Sequence, residues 1–271
     1  MALTVRSLGS GSSGNALLIE SGQTLILIDC GIGPRSLAAG LRKVGRAPVH
    51  MSAVFLTHEH GDHVRAVPAM LKAKVPIIAT AGTARGYRLP ALKTEVISRG
   101  SSVQVGDLTV TAVQVSHDAL EPCGYHIASP HGTLTVLTDL GYPDPSLVEY
   151  LALSDLIVLE ANHDRRLLQD GPYPTVLKRR IMSHSGHLSN DESAMLVARS
   201  IQDGKTPEIW LAHLSQINNR PEIALGTVHR ILADQGHPVL LISALSRFGQ
   251  DHVWRYGERS QRPIQSQLPL F

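Results

Sequence analysis

Residues 55–64, FLTHEHGDHV, set His58, His60, Asp62 and His63 close together, directly after an apolar run. Imidazole nitrogens with a carboxylate suit zinc, and also manganese or iron. At about 3.6 residues per turn a helix cannot aim all four side chains at one point, so they belong to a loop. Four donors cannot serve two separate ions, and the chain offers more, each at the end of an apolar run. These are His117 in VQVSHD, Asp139 in VLTDLG and His213 in WLAHLS. Two divalent ions ~3.5–4 Å apart polarise a substrate oxygen and bring the pKa of bound water toward ~7. That chemistry cleaves lactams, thioesters and phosphodiesters alike, so the donors do not choose the substrate. They do argue against a non-catalytic DNA-binding module with a structural metal, which needs only a closed four-ligand cage.

The stretch LEANHDRRLLQDGPYPTVLKRRIMSHSGHLSN, between Asp139 and His213, adds a second tier of chemistry. Glu160 ends an apolar run and His187 stands just before a capped helix. A His there can meet a phosphate oxygen beside exposed amides, or protonate a departing alkoxide while Glu160 orients it. Arg165, Arg166, Lys178, Arg179 and Arg180 make a local basic concentration that whole-chain charge conceals, and with Ser189 they are the expected substrate contacts. The run GSGSSGN at 9–15 lacks the Gly-Lys-Ser/Thr ending of a nucleotide P-loop and reads as a flexible turn. His163, His184 and His252 read as ordinary polar residues.

The elements that must carry these residues are short. LTVRSLG, NALLIES, TLILIDCG, SAVFLT, VPIIAT, SSVQVG, LTVTAVQVSH, CGYHIASP, GTLTVLTDLG, SDLIVLEANHD, PEIWLAHLS, HPVLLISAL and DHVWRYG read as strands. SGQ at 21–23 and SPHG at 129–132 read as hairpin tips. DHVRAVPAMLKAK and RPEIALGTVHRILADQG have helical spacing. So does LSNDESAMLVARSIQDG, with Ser189 and Glu192 at capping-box spacing and Gly204 as its stop. The pattern is two strand-rich halves with interleaved helices and polar residues at strand ends, a layered α/β fold.

Of the 271 residues 43% are apolar and 18% charged, and the formal net charge is +2. Composition therefore gives no strong pull toward polyanions. Cys30 and Cys123 cannot make a disulfide framework and read as buried thiols. The start lacks the basic and apolar regions of a signal peptide, and no apolar run approaches the ~20 residues of a membrane span. The expectation is a soluble, cytoplasmic protein whose oligomeric state the residues leave open. One domain is expected over 1–257, followed by a polar tail over 258–271 that ends in Gln267-Leu268-Pro269-Leu270-Phe271.

THEHGDH resembles the HxHxDH signature of the metallo-β-lactamase superfamily, and the later His, Asp and His follow in that family's order. The resemblance implies a four-layer αββα sandwich with a two-metal site, zinc or manganese, between its sheets. It implies that His58, His60 and His117 hold one ion, that Asp62, His63 and His213 hold the other, and that Asp139 bridges. Asp29, in LIDCG, matches a family Asp that supports the metal loop. Asp62, Glu160 and His187 are then the expected catalytic groups. LEAN, SGHLS and HLSQINN resemble segments of the nuclease branch, including RNase Z and the RNase J/CPSF group. GSGSSGN, EANHD, GPYP, GHLSN and HLSQINN together are similar to the bacterial YycJ/WalJ group, associated with 5′ exonuclease action on DNA. The stretch from Asp139 to His187 is too short for the clamping domain of RNase J, and no arm like that of RNase Z is visible. These departures weaken an RNA-processing reading, which stands with a thioester- or lactam-type hydrolase as the alternatives. QLPLF resembles the peptide by which bacterial proteins bind the sliding clamp, and implies work in replication-linked repair such as mismatch excision.

Overall fold

The computed structural model describes residues 2–201, 205–237, 240–248 and 252–258. The first sheet holds β1 (Thr4–Gly9), β2 (Ala16–Ser21), β3 (Thr24–Ile28), β4 (Ala53–Phe55), β5 (Ile77–Ala79) and β6 (Thr94–Val96). The second holds β7 (Ser102–Val105), β8 (Leu108–Gln114), β9 (Cys123–Ser129), β10 (Gly132–Leu137), β11 (Leu156–Glu160), β12 (Glu208–Ala212) and β13 (Ile242–Ala244). A last strand, β14 (Val253–Arg255), returns to the first sheet and pairs antiparallel with β1. In each sheet hairpins give way to parallel strands, from β3 to β6 in the first and from β10 to β13 in the second.

Side-chain alternation explains the layering. Ile26 and Ile28 of β3 face the core between the sheets, with Leu156 and Val158 of β11 opposite, while Leu25, Leu27, Ile157 and Leu159 face outward. Because helices cover the outward faces, these strands read as continuous apolar runs rather than alternating ones. Helices α1 (Pro34–Lys43) and α3 (Val67–Lys72) lay Leu37, Leu41, Val67 and Met70 on the first sheet. Helices α5 (Leu147–Ala152), α8 (Asn190–Ser200) and α9 (Pro221–Asp234) cover the second through Leu151, Leu196, Val197 and Val228. The result is the expected four-layer αββα sandwich in one domain. Phe55 and Tyr125 lock its centre edge to face at 5.3 Å, with Tyr125 Oη donating to the Leu56 carbonyl. No helix of the described residues is long and apolar enough to cross a membrane.

Several local expectations need correcting. The helix expected over 62–74 is two pieces, α2 (Gly61–Val64) and α3, because Pro68 has no N–H to continue the ladder and its ring crowds the carbonyl four residues back. Helices α1, α4 (Ala81–Tyr87), α5, α6 (Arg165–Asp170) and α7 (Thr175–Ile181), and strand β6, were not foreseen. The capping box of α8 is present, with Ser189 and Glu192 bonded reciprocally. That helix ends at Ser200, ahead of Gly204, which lies outside the described residues.

Candidate metal centre

Parallel strands gather their C-terminal ends at one rim, where open α/β sheets bind ligands. Asp29 follows β3, His58 lies just beyond β4, Asp139 just beyond β10 and His213 directly after β12, while Glu160 is the last residue of β11. Asp29, Asp139 and His213 all sit in left-handed backbone, at φ 59°, 54° and 54°. Non-glycine residues hold this conformation at about 1–3 kcal/mol each, and Asp and His are among those that accept it best. The fold thus accepts backbone strain at three strand ends that meet in one place.

The donors converge in overlapping groups. His58, His60 and His117 form one and Asp62, His63 and His213 another, with ligand atoms in each lying within 4.8 Å of one another. Asp139 sits between them, grouping with His58 and His63 on one side and with Glu160, His187 and His213 on the other.

Hydrogen bonds assign the ring protons and leave one nitrogen of most rings turned inward. Thr57 Oγ1 donates to Asp29 Oδ2 at 2.9 Å and therefore accepts from His58 Nδ1–H at 3.0 Å. His63 Nδ1–H donates to Asp29 Oδ2 at 2.7 Å, His117 Nδ1–H to the Gly186 carbonyl at 3.0 Å, and His213 Nδ1–H to Glu160 Oε1 at 2.8 Å. Such partners fix the tautomer of a ligating His.

What remains fits divalent cations. His213 Nε2 is buried without a hydrogen-bond partner, 3.4 Å from Asp62 Oδ2. His63 Nε2 faces Asp139 Oδ2 at 2.9 Å, and His58 Nε2 faces His60 Nδ1 at 3.0 Å. Lone pairs this close repel unless a proton or a cation lies between them. Burial pushes the His63 imidazole down, but Asp29 and Asp139 outweigh it and hold it well above its ordinary value. Burial opposes the His213 imidazolium too, yet Asp139, Asp62 and Glu160 raise it to about 10. Burial also acts against the Asp139 carboxylate, and His213 and His63 overcome it to hold that group well below the usual range. Burial dominates at His58 and His117 and pushes both down, so both stay neutral and ready to ligate.

Support comes from below. Asp29 also takes the Thr57 amide at 2.9 Å, tying β3 to the metal loop. Gly31 lets the two backbones touch, since a Cβ there would lie 1.5 Å from the Asp62 carbonyl oxygen. The GSGSSGN run is not the loose turn its composition implied. Ser10 Oγ accepts from the His213 amide at 2.9 Å, and Asn15 Nδ2 lies 3.1 Å from His63 Nε2, an amide that must turn aside for that nitrogen to take a cation.

Glu160 is completely buried, and both its oxygens are engaged. Oε1 accepts from His213 Nδ1 and His187 Nδ1, each at 2.8 Å, while Oε2 accepts from the Leu140 and Leu188 amides at 2.7 and 3.3 Å. Its carboxylate is thus committed to two histidines and two backbone amides. Burial alone would raise its pKa, but His187 and His213 hold it down to about 2. The reciprocal effect raises His187 against burial, and with Nδ1–H engaged with Glu160 a second proton on this ring belongs on Nε2. His187 also lines a cleft of about 190 Å³ with Ser12, Asn162, Tyr173, Arg180 and Ser215. His163, outside the cluster, is buried and pushed down to about 4, consistent with a neutral structural residue.

The expected substrate contacts fare unevenly. Arg180 reaches the cleft, its Nε 2.7 Å from Asp118 Oδ2, and Asp118 in turn approaches His117 Nε2 at 3.3 Å. Sequence reasoning missed Asp118, although it directly follows His117. Arg165 is drawn to α8, 3.1 Å from Glu192 Oε1, and Lys178 donates to the Gln169 carbonyl. Arg166 and Arg179 are exposed on α6 and α7, away from the cleft lining. Ser189 is fully buried and its hydroxyl serves the α8 cap, away from the cleft lining.

The Beta-lactamase superfamily domain matches residues 24–213. The exodeoxyribonuclease YycJ of Bacillus anthracis is 32% identical over 245 residues, which cover 88% of this chain and 92% of that protein. The exodeoxyribonuclease WalJ of Streptococcus pneumoniae is 32% identical over 234 residues, 83% of this chain and 87% of that one. Among solved structures, the metallo-beta-lactamase fold protein YhfI of Bacillus subtilis covers 93% of this chain and 98% of its own, with a TM-score of 0.69. At 18% identity that last likeness is one of fold alone.

Proposed function

The chain belongs to the metallo-β-lactamase superfamily, in the YycJ/WalJ group, and we propose that it is a two-metal phosphodiesterase that degrades DNA from the 5′ end in repair. The reading rests above all on the His187–Glu160 pair, which groups with Asp139 and His213 of the metal cluster while His187 lines the cleft. The names of the relatives supply the choice of DNA.

His58, His60 and His117 would hold one ion, Asp62, His63 and His213 the other, with Asp139 shared. Bound ions supply a nucleophile at neutral pH and neutralise charge on the phosphate. The protein's own groups do the rest. Glu160 keeps His187 protonated and fixes its ring, so that Nε2 carries the proton a leaving alkoxide requires. Arg180, pinned by Asp118, offers a guanidinium to phosphate oxygens on the same side of the cleft. Zinc and manganese both suit the donor set.

End-labelled single- and double-stranded DNA and RNA, assayed with manganese, magnesium and zinc beside thioester and lactam panels, test the reading. Early release of labelled mononucleotide from 5′-labelled duplex DNA supports it. Long labelled fragments refute the polarity, and turnover confined to thioesters, lactams or RNA refutes the substrate. Asp62→Ala and His63→Ala should abolish cleavage while leaving the far-UV spectrum unchanged.

The same reading takes Gln267–Phe271, outside the described residues, as a sliding-clamp ligand that raises the local concentration of enzyme on new DNA. A chain ending at Gln265 and a Leu270→Ala/Phe271→Ala variant should lose clamp binding. Affinity equal to that of the full chain removes the assignment.

A further inference from the structure

Two aromatic rings beside the metal centre have no part in holding it. Tyr142 and His184 stack face to face, with centroids 4.2 Å apart and planes 17° from parallel, and both are exposed. The chain is 4% aromatic, and among the described residues most exposed apolar side chains are aliphatic, so an open ring stack here calls for a reason.

The stack is built into the site. Ser116 Oγ donates to the His184 carbonyl at 2.7 Å and accepts from its Nδ1–H at 3.2 Å, which fixes the ring. The Ser116 carbonyl in turn takes the Gly141 amide at 2.7 Å. Gly141 packs so closely on the 184–186 backbone that a Cβ would lie 2.4 Å from the Gly186 nitrogen. Three segments are thereby laced together, and each carries a metal-centre residue next to the stack: His117 beside Ser116, Asp139 before Tyr142, and His187 after His184. Three residues of chain reach at most about 10 Å. The stack therefore stands within a nucleotide or two of any phosphate held between Asp139 and His187.

We propose that Tyr142 and His184 form a stacking shelf for a nucleobase of the bound DNA strand, next to the phosphate being cleaved. The inference rests on the nuclease reading above and adds to it the way the strand is gripped. Stacking is indifferent to base identity, because every base presents a flat π face, which suits an enzyme that must advance through any sequence. In a parallel pair each ring covers one face of the other, so a base adds to the open outer side and extends the stack.

The test combines a protein change with a substrate change. Binding of a single-stranded oligonucleotide, followed by anisotropy, should weaken about ten-fold to a hundred-fold in Tyr142→Ala and recover in Tyr142→Phe and Tyr142→Trp. KM should rise with kcat little altered. Against an oligonucleotide carrying abasic sites at its terminal positions, wild type and Tyr142→Ala should bind alike. A 2-aminopurine at those positions should be quenched by wild type and not by Tyr142→Ala. If wild type cleaves DNA but Tyr142→Ala binds and quenches as it does, or if the loss persists on the abasic strand, the shelf falls and the nuclease reading stands. If wild type neither binds nor cleaves DNA, both fall.

Discussion

Replacing Glu160 by Gln changes one atom in a buried carboxylate and should disturb both halves of the site. Its Oε1 accepts from two imidazole N–H groups and its Oε2 from two backbone amides. A carboxamide has one acceptor oxygen and one donor nitrogen. Whichever way it turns, its NH2 faces two donors. If it faces the histidines, His213 can relieve the clash only by moving its proton to Nε2, the nitrogen that a cation needs. If it faces Leu140 and Leu188, the loop carrying Asp139 must shift. Losing two charge-assisted bonds, each about 1.5–3 kcal/mol, points to roughly 3–6 kcal/mol of lost stability. Loss of a partner behind a ligating His lowers metal affinity about 10- to 100-fold. Loss of an oriented general acid lowers kcat about 10²- to 10⁴-fold. Calorimetric titration with zinc or manganese reads the first, and cleavage of DNA against thymidine p-nitrophenyl phosphate reads the second. The nitrophenolate departs without a proton, so its turnover should suffer much less than that of DNA. Since Glu160 raises His187, the variant's activity should also begin its alkaline decline at a lower pH. Metal affinity within about two-fold of wild type, with equal loss on both substrates, would refute the assignment of Glu160 as the orienting group.

Four further outcomes are expected. His187→Ala should lose about 10²- to 10⁴-fold on DNA but little on the nitrophenyl ester, with metal affinity unchanged; equal loss on both would make His187 a structural residue. Gly31→Ala should destabilise the fold by about 3 kcal/mol or more and weaken metal binding, because its methyl must displace the Asp62 carbonyl; chemical denaturation and metal titration read the two effects. Loading the chelated protein with metal should release at least about two protons, those of His63 and His213 together with any from metal-bound water, measured with a pH indicator in weak buffer. For the chelated protein the linkage signs are opposite at the two ends of the pH scale. His213 is raised from 6.5 to about 10, so its contribution to stability is complete below 6.5 and lost as the pH rises through about 10. Glu160 is lowered from 4.5 to about 2, so its contribution is complete above 4.5 and lost as the pH falls through about 2. Melting temperatures should therefore decline on both sides of a weakly acidic maximum.

The donors were legible because each terminates an apolar run, and a polar metal ligand directly after a buried strand has few other places to go. His58, His117, Asp139 and His213 all follow that rule. Of the residues that hold them, Asp29 and Glu160 were legible too, but Thr57, Asn15 and Ser10 were not. Thr57 relays Asp29 to His58, yet a threonine at a strand end is ordinary. Asn15 and Ser10 stand in a Gly/Ser run whose composition signals mobility, and only tertiary contact with His63 and His213 makes it rigid. The basic segment misled for a related reason. Arg165 and Lys178 lie close to Arg180 in sequence, but two short helical turns, α6 and α7, send them to different partners. Helices of six or seven residues show too little periodicity to be told from loop. Pro68 carried its own warning, since proline seldom continues a helix already under way.

The donors are divided between the sheets: His58, His60, Asp62 and His63 come from the first, and His117, Asp139 and His213 from the second. Neither half holds a complete centre. A ribosome releases the first sheet's histidines long before His213, and the first sheet itself stays unfinished until β14 returns to β1 near the end of the described chain. On the reading proposed above, a nascent or prematurely terminated chain carries the signature loop without the second sheet's donors, so it would acquire the power to cut only once nearly the whole domain had folded.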